Sequence, residues 1–393
     1  MTQEQIATAV SELVYTQYEK LKPTNKPRIK SNGTKECTVL SSIVAIDKLQ
    51  STTSLEILAL TTGVKATPDI ELCRSKGKMV HDCHAEVLAI RAFNAILLDE
   101  MIQLKNDKTS RYLLKIGDKY KWNAKWSLVL FISRLPCGDA SMDSIDSTTD
   151  EDKLINMTDN DPYQYVSPKH KKTLRGRFNF NKKGYVRTKP GRYDSKITLS
   201  KSCSDKICLR QVISLNNSFT YSLMADPIYL DYLIIPHIDS TSKISLKRCF
   251  EERVRESSYP IHPFQILSTN QSFKDDIVEG KEPSPISVVK LFRASDKNVL
   301  EQAILNGVKN GSYTKGKKPL RKNCESIVSR YAFWKKYNQL NPLGNDSNNQ
   351  IRTYDNFKRK YNKNRDEMII SVKKLLVKGE DWVTTYNDDF DLI

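Results

Sequence analysis

The order of apolar segments in the first third of the chain predicts an α/β fold. Two apolar, β-rich runs, 37–46 and 55–63, are separated by a polar turn and predict a pair of strands. The segment that begins at His81 has apolar residues at a helical period with few polar interruptions, which predicts a mostly buried helix. Residues 127–133 then form an unbroken apolar strand that ends in a Pro-Cys-Gly turn. This order is typical of a layered α/β protein rather than of a helical bundle or an all-β fold.

The rest of the chain predicts added segments on one domain. Residues 142–168 are acidic and polar, whereas residues 169–196 contain eleven Lys or Arg and one acid, so 142–196 predicts an insertion with a basic part. Strand-like apolar residues return at 207–235, and the last third is basic with helical stretches. One apolar helix face there consists of Met368, Val372, Leu375 and Leu376. Because no linker divides the chain cleanly, we expect residues 1–393 to form a single domain.

The net charge and the cysteines restrict the class of protein. A net charge of +17 over 393 residues favours a polyanionic partner such as nucleic acid, although a merely lysine-rich surface is the alternative. No apolar run is long enough to span a membrane, and the first residues lack the basic leader and apolar region of a secretory signal. We therefore expect an intracellular protein, in cytoplasm or nucleus. Its eight cysteines then favour metal binding or buried thiols over disulfides.

Two short motifs predict a zinc-dependent deamination site. His84 and Glu86 form a His-x-Glu pair at the start of the buried helix, and Cys137 follows Pro136 about fifty residues later. A catalytic zinc ion takes three protein ligands and leaves one position for water, whose proton a neighbouring glutamate transfers. This spacing is typical of zinc deaminases of nucleobases. The alternatives are a structural zinc site, or a histidine and a thiol that are simply part of the core.

The third ligand is not where the usual motif would put it. In that motif a second cysteine follows three residues after the first, but the corresponding residue here is Ala140. Cys203 and Cys208 are the two candidates for the missing ligand, and the spacing alone does not choose between them.

Three segments together resemble the adenosine deaminases acting on RNA. These are HDCHAE from His81, PCG from Pro136 and SCSDKI from Ser202. The resemblance implies a cytidine-deaminase-like α/β/α sandwich with a mixed central sheet and a large helical C-terminal elaboration. It also implies that His84, Cys137 and Cys203 bind one zinc ion and that Glu86 is the catalytic residue.

The resemblance also implies a substrate. The double-stranded-RNA editors of the family carry RNA-binding domains before the deaminase domain, and the first strand here begins near residue 38, which leaves no room for them. The chain therefore resembles the stand-alone transfer-RNA deaminases of the family, which implies adenosine 37 of alanine tRNA as the target. The alternatives are an editor of double-stranded RNA, a deaminase of cytidine or mononucleotides, and an inactive zinc-stabilised RNA-binding module. No protein partner is predicted.

Two sets of residues are candidates for binding anions. Basic and aromatic residues alternate in 169–196, as expected where cations contact phosphates and rings stack on bases; a solvated basic loop is the alternative. The candidate RNA contacts are Lys65, Arg187, Lys189 and Arg192. The family resemblance further implies a buried inositol hexakisphosphate, against the alternative of a solvated basic helix. The positions that match its binding residues are Arg91, Ser200, Lys206, Ser218, Arg330, Tyr354, Lys358, Tyr361, Arg365, Trp382 and Asp389.

Overall fold

A central sheet organises the chain. The computed structural model describes residues 2–49, 54–144, 162–191, 195–292, 299–316, 318–342 and 351–392. The strands are β1 (Glu36–Cys37), β2 (Leu40–Asp47), β3 (Leu55–Thr62), β4 (Val64–Ala66), β5 (Asp82–His84), β6 (Leu113–Ile116), β7 (Lys119–Trp122), β8 (Trp126–Ile132), β9 (Thr173–Arg175), β10 (Val186–Thr188), β11 (Tyr232–Pro236), β12 (Gln265–Thr269), β13 (Glu282–Pro283), β14 (Ile286–Leu291), β15 (Leu300–Leu305) and β16 (Val308–Lys309). The α-helices are α1 (Gln3–Glu19), α2 (Asp69–Leu72), α3 (Ala85–Lys105), α4 (Cys203–Ile213), α5 (Ser218–Leu223), α6 (Ser240–Phe250), α7 (Arg330–Leu340), α8 (Tyr354–Tyr361) and α9 (Lys363–Leu376).

The main sheet is mixed. Its eight strands lie in the order β12-β11-β8-β2-β3-β14-β15-β16. The strands β12, β11 and β8 are parallel to each other, and every further neighbour from β8 to β16 is antiparallel. The predicted α/β class with strands at 37–46, 55–63 and 127–133 is therefore confirmed.

Helices cover both faces of this sheet. In β2, Val44 and Ile46 point into an apolar cluster with α1, whereas Ile43 and Ala45 point into the larger cluster with α3. This alternation follows from the strand geometry, in which successive side chains point to opposite faces. All eight residues of β2 are buried, as expected for a central strand with a helix on either side. The C-terminal helix α9, predicted from its apolar face, buries Val372 and Leu376 in the larger cluster.

Two sequence expectations need correction. The helix predicted from His81 begins at Ala85, because Asp82–His84 pair with Val64–Ala66 in the hairpin β4–β5. Part of the strand-like stretch 207–235 is instead the helix α4, whose N-terminus is capped by the Ser202 side chain. A short apolar run does not distinguish a strand from a buried helix, and the cap decides here. Of the predicted insertion 142–196, residues 145–161 and 192–194 lie outside the described residues.

Candidate active site

Three potential metal ligands from remote parts of the chain meet at one end of α3. The ligand atoms of His84, Cys137 and Cys203 all lie within 4.8 Å of one another. The His84 Nδ1 and the Cys137 Sγ are 3.8 Å apart. Ligands at 2.0 and 2.3 Å from one tetrahedral zinc ion would be about 3.5 Å apart. One imidazole and two thiols at this spacing can hold a zinc ion and leave one position open.

Each ligand lies at the end of a regular element. His84 ends β5 and is the N-cap residue of α3, and Cys137 lies in the turn after β8. Cys203 is the first residue of α4. The amino ends of α3 and α4 therefore both point at the cluster, and their partial positive charge favours thiolates there.

The turn after β8 and the start of α4 are joined by hydrogen bonds. The backbone N–H of Cys203 donates to the Cys137 Sγ (3.4 Å), and the Ser204 N–H donates to the Cys137 carbonyl (3.0 Å). The Ser204 hydroxyl in turn accepts from the N–H of Ala140, the residue that replaces the usual cysteine (3.2 Å). The absence of a side chain at Gly138 allows the two segments to approach this closely, because a Cβ there would lie 2.1 Å from the Ser202 hydroxyl.

The structure separates the two candidates for the third ligand. Cys203 is fully buried beside Cys137, whereas the Cys208 thiol donates a hydrogen bond to the carbonyl of Cys249 (3.1 Å). Cys208 lies five residues further along α4 and is not among the clustered ligands. Of the two candidates, only Cys203 has its sulfur in the cluster.

A buried lysine favours ionisation of the Cys137 thiol, whereas burial and the neighbouring Cys137 raise the pKa of the Cys203 thiol well above its usual value. The Lys189 ammonium donates to the Cys203 Sγ (3.1 Å) and forms an ion pair with Asp82 (2.7 Å). A hydrogen bond from Cys203 lowers the pKa of the Cys137 thiol well below its usual range, assisted by the charges of Lys189 and His84. Because metal ligands must be deprotonated, this environment suits a metal site.

Asp82 is a residue whose importance the sequence did not reveal. Its carboxylate accepts from the backbone N–H of His84 (3.1 Å) and from the Ser200 hydroxyl (3.1 Å), and it also pairs with Lys189 and Lys206. Burial opposes ionisation of Asp82, but the two lysines outweigh it and lower its pKa well below the usual value. No spacing rule marks an aspartate two residues before a ligand, so sequence analysis had no signal for it.

Glu86 lies in the first turn of α3, next to the three ligands. It is 3% exposed, and its Oε2 has no hydrogen-bond partner within the described part of the chain. Burial raises its pKa, and the charges of His84, Cys137 and Lys189 are close enough to influence it. A buried carboxylate with an open oxygen and a raised pKa can accept and release a proton.

The predicted RNA contacts fall into three groups. Arg187 and Lys189 are 1% and 3% exposed, so the structure does not present these two side chains to a partner at the surface. Their charges are used internally: Arg187 binds backbone carbonyls, and Lys189 binds Asp82 and Cys203. Lys65 is exposed on β4, opposite Cys83 in the hairpin that ends at His84. Arg192 lies outside the described residues.

A second concentration of charge is formed by helical residues, and we call it the cationic cluster. It consists of Arg91, Arg210, Arg330, Lys358, Arg365 and Lys373, which come from the helices α3, α4, α7, α8 and α9. Neighbouring members influence each other's ionisation. Burial lowers the pKa of Arg91 to about 10 and that of Arg210 to about 9. Arg210 and Lys373 are not among the residues that the sequence predicted to bind an anion.

Polar atoms without partners surround this cluster. Within the described residues, the Arg365 Nε, the Asn216 and Asn217 amide nitrogens and both polar atoms of the Asn362 side chain are buried without a hydrogen bond. Such groups are costly to bury unless a ligand or water pairs with them. A bound polyanion with many oxygen acceptors would pair with the donors among them.

The other residues predicted to bind the inositol phosphate lie in several places. Tyr354 donates to the Ser218 hydroxyl (3.3 Å), and its ring faces Arg330 and Lys358. The Trp382 ring contacts the ammonium groups of Lys201 (5.2 Å) and Lys373 (5.5 Å). The carboxylate beside Arg330 belongs to Asp388 rather than to Asp389, whose carboxylate accepts from the backbone of Asp355.

Three predicted positions are less directly involved with the cationic cluster. Tyr361 is 38% exposed and packs on Phe357. Ser200 and Lys206 are both bonded to Asp82, on the side of the metal-ligand cluster.

The fold and the ligand cluster define the class of protein. A mixed α/β fold in which a histidine, two cysteines and a buried glutamate converge is the arrangement of the hydrolytic nucleobase deaminases. Residues 59–382 match the family described as the adenosine-deaminase (editase) domain. The chain belongs to this family of adenosine-deaminating hydrolases.

Individual relatives extend the similarity to nearly the whole chain. The chain is 41% identical to tRNA-specific adenosine deaminase 1 of Saccharomyces cerevisiae, over 99% of this chain and 95% of that protein. The protein of the same name from Schizosaccharomyces pombe is 32% identical over 87% of this chain and 88% of its own length. The double-stranded RNA-specific adenosine deaminase of Mus musculus is 25% identical over 48% of this chain but only 17% of its own length.

Proposed function

We propose that this protein converts adenosine to inosine in transfer RNA, with one zinc ion held by His84, Cys137 and Cys203. The proposal rests above all on the convergence of these three ligands beside the buried carboxylate of Glu86. It is supported by the net charge of +17 and by the similarity to the tRNA-specific adenosine deaminases of the two yeasts. The helices on both faces of the mixed sheet favour a deaminase-type α/β/α sandwich with helical C-terminal additions.

The residues present fit a zinc ion and its chemistry. When bound, zinc lowers the pKa of a water molecule in the open position toward neutrality. Glu86 would accept a proton from the attacking water at its open oxygen and would donate it to N1 of the adenine. It then helps to protonate the amine, which leaves as ammonia, and water supplies the oxygen at C6 of inosine. Proton transfer by a placed carboxylate contributes about 10²- to 10⁴-fold in rate.

The substrate nucleotide is a finer proposal. We infer adenosine 37 of alanine tRNA, from the resemblance to the stand-alone members of the family. A base must leave its stack to reach a buried metal site, and a nucleotide in the anticodon loop is already unpaired. The cost of extruding the base is therefore small.

Sequencing of transfer RNA tests this function. We expect purified protein to produce inosine in unmodified alanine tRNA at position 37 and not in a duplex RNA or in free cytidine. The Glu86→Gln variant is the matched control: it should bind zinc like the wild type but form inosine at least about 100-fold more slowly. Deamination only of duplex RNA would favour an editor instead, and wild-type rates in the variant would contradict the role of Glu86.

We further propose that the cationic cluster binds inositol hexakisphosphate. Arg330 and Lys358 form ion pairs with Asp388 and Asp355. The other four cations form no ion pair with a described residue, and they repel each other unless an anion lies between them. A polyphosphate supplies both the negative charge and the many acceptors that the donors around the cluster require. The anion would therefore act as a structural cofactor for the C-terminal helices.

A further inference from the structure

Two basic segments that are remote in sequence meet at Tyr185. The ammonium of Lys378 lies 4.3 Å from the centre of the Tyr185 ring, and that of Lys172 lies 5.9 Å from it. The backbone N–H of Lys172 also donates to the Glu380 carboxylate (2.8 Å). The segment before β10 and the turn after α9 are thus joined, and we call Lys172, Tyr185 and Lys378 the Tyr185 patch.

The Tyr185 patch gathers positive charge without neutralising it. Within the described ranges, no carboxylate oxygen lies within 4 Å of either ammonium of the patch. The nearby Glu380 carboxylate is instead bonded to a backbone N–H. Cation–π contacts with the Tyr185 ring hold the two ammonium groups near each other. The two positive charges repel each other, and an anion placed between them would offset this repulsion.

The position of the patch relates it to the catalytic centre. Tyr185 directly precedes β10, and β10 leads to Lys189, whose ammonium contacts Cys203. Four residues of extended chain span about 13 Å. The patch therefore lies within reach of the backbone of a nucleotide strand whose reacting base enters the active site.

We propose that the Tyr185 patch binds the phosphate backbone of transfer RNA beside the reacting adenosine. This inference rests on the proposed function, because it takes transfer RNA as the polyanion. Lys172 and Lys378 contact phosphates, and Tyr185 holds both side chains in the orientation that the contact requires. The turn after α9 is thus part of the RNA-binding surface, although nearly 200 residues separate it from the basic segment.

The salt dependence of tRNA binding tests the patch. Unmodified alanine tRNA is bound to wild-type protein and to the variants Lys172→Glu, Lys378→Glu and Lys115→Glu over a range of salt concentrations. Lys115 is the matched control, because it is an exposed lysine on β6, in the β6–β7 hairpin, which contains none of the patch residues. We expect each patch variant to weaken binding at low salt and to reduce the slope of log K against log salt by about 1.

The outcomes separate the patch from the proposed function. A reduced slope in both patch variants with an unchanged slope in Lys115→Glu supports the patch. Wild-type slopes in both patch variants, or an equal loss in Lys115→Glu, overturn it. Inosine formation by the wild-type protein is measured in parallel. If the wild-type protein deaminates tRNA but both patch variants bind tRNA normally, the role of the patch is refuted and the proposed function is not. Zinc content and thermal melting confirm that each variant is folded.

Discussion

The choice of Cys203 as the third ligand is made by its immediate surroundings. It lies at the amino end of α4, next to the Lys189 ammonium, and its N–H is bonded to the Cys137 sulfur. A helix amino end and a lysine both stabilise a thiolate, which is the form that binds zinc. Burial raises the pKa of both thiols, but the Cys208 thiol donates to the carbonyl of Cys249 and lies outside the ligand cluster. It is therefore a core thiol.

Serine substitutions at the two cysteines distinguish these roles. We expect Cys203→Ser to lose most of its zinc, and with it most of the activity, because a hydroxyl does not replace a thiolate ligand. Cys208→Ser is the matched control one helical turn and a half away, and it should retain a full equivalent of zinc. Metal analysis of the two purified variants makes the comparison. Full metal in Cys203→Ser together with loss in Cys208→Ser would reverse the assignment.

At the scale of an element, Arg187 organises the basic segment that precedes it. Its guanidinium is buried and donates to the carbonyls of Gly176, Phe178, Asn179 and Lys182. Burial lowers its pKa to about 10, and nearby carboxylates oppose this shift. One side chain thus satisfies four carbonyls of a segment with little regular structure of its own. We infer that Arg187 positions this segment rather than touching RNA.

Replacement of Arg187 tests this positioning role. Arg187→Met removes the donors for four carbonyls, and each unsatisfied buried group costs about 1–3 kcal/mol, so the segment should loosen. We expect rapid proteolytic cleavage within residues 176–184 and a higher KM for tRNA, with kcat changed much less. Arg177→Met, a change at an exposed arginine of the same segment, is the control. Equal protease resistance of the wild type and Arg187→Met would rule out the role.

At the scale of the whole molecule, the cationic cluster joins the sheet layer to the C-terminal helices. Its members lie on α3, which packs against the sheet, and on α4, α7, α8 and α9. Neutralising their charge with one ligand would stabilise contacts among all five helices at once. A ligand that binds only the folded state stabilises it in proportion to the logarithm of its concentration over Kd.

Mass spectrometry of the denatured protein tests for this ligand. We expect an inositol polyphosphate to be released from active enzyme in about one equivalent, because the cluster fits one polyanion. Arg365→Met and Lys373→Met should reduce the amount released and lower the melting temperature. Arg359→Met, an exposed position on α8, should do neither. Fully active enzyme that releases no polyphosphate would remove the proposal.

None of the helices in the part of the chain that the structure describes is long and apolar enough to cross a membrane. The long apolar helix α3 is instead covered by the sheet and by α7.

Several features follow from the amino-acid sequence by itself. The apolar runs determine the central strands β2, β3 and β8 and the buried helix α3, because burial of one or both faces requires apolar residues at the spacing of a strand or a helix. The chemistry of the site also follows from residue types, since an imidazole, thiols and a carboxylate are the groups that a zinc deaminase needs. The charge of +17 indicates a polyanionic partner.

Only the tertiary structure decided which distant groups meet. It placed Cys203 rather than Cys208 in the ligand cluster, put Asp82 between the two lysines and buried Arg187 and Lys189. A basic residue in a polar stretch has the same local signature whether it faces solvent or a buried carboxylate. Its role depends on which loops pack over it, and that packing is set by contacts between segments a hundred or more residues apart.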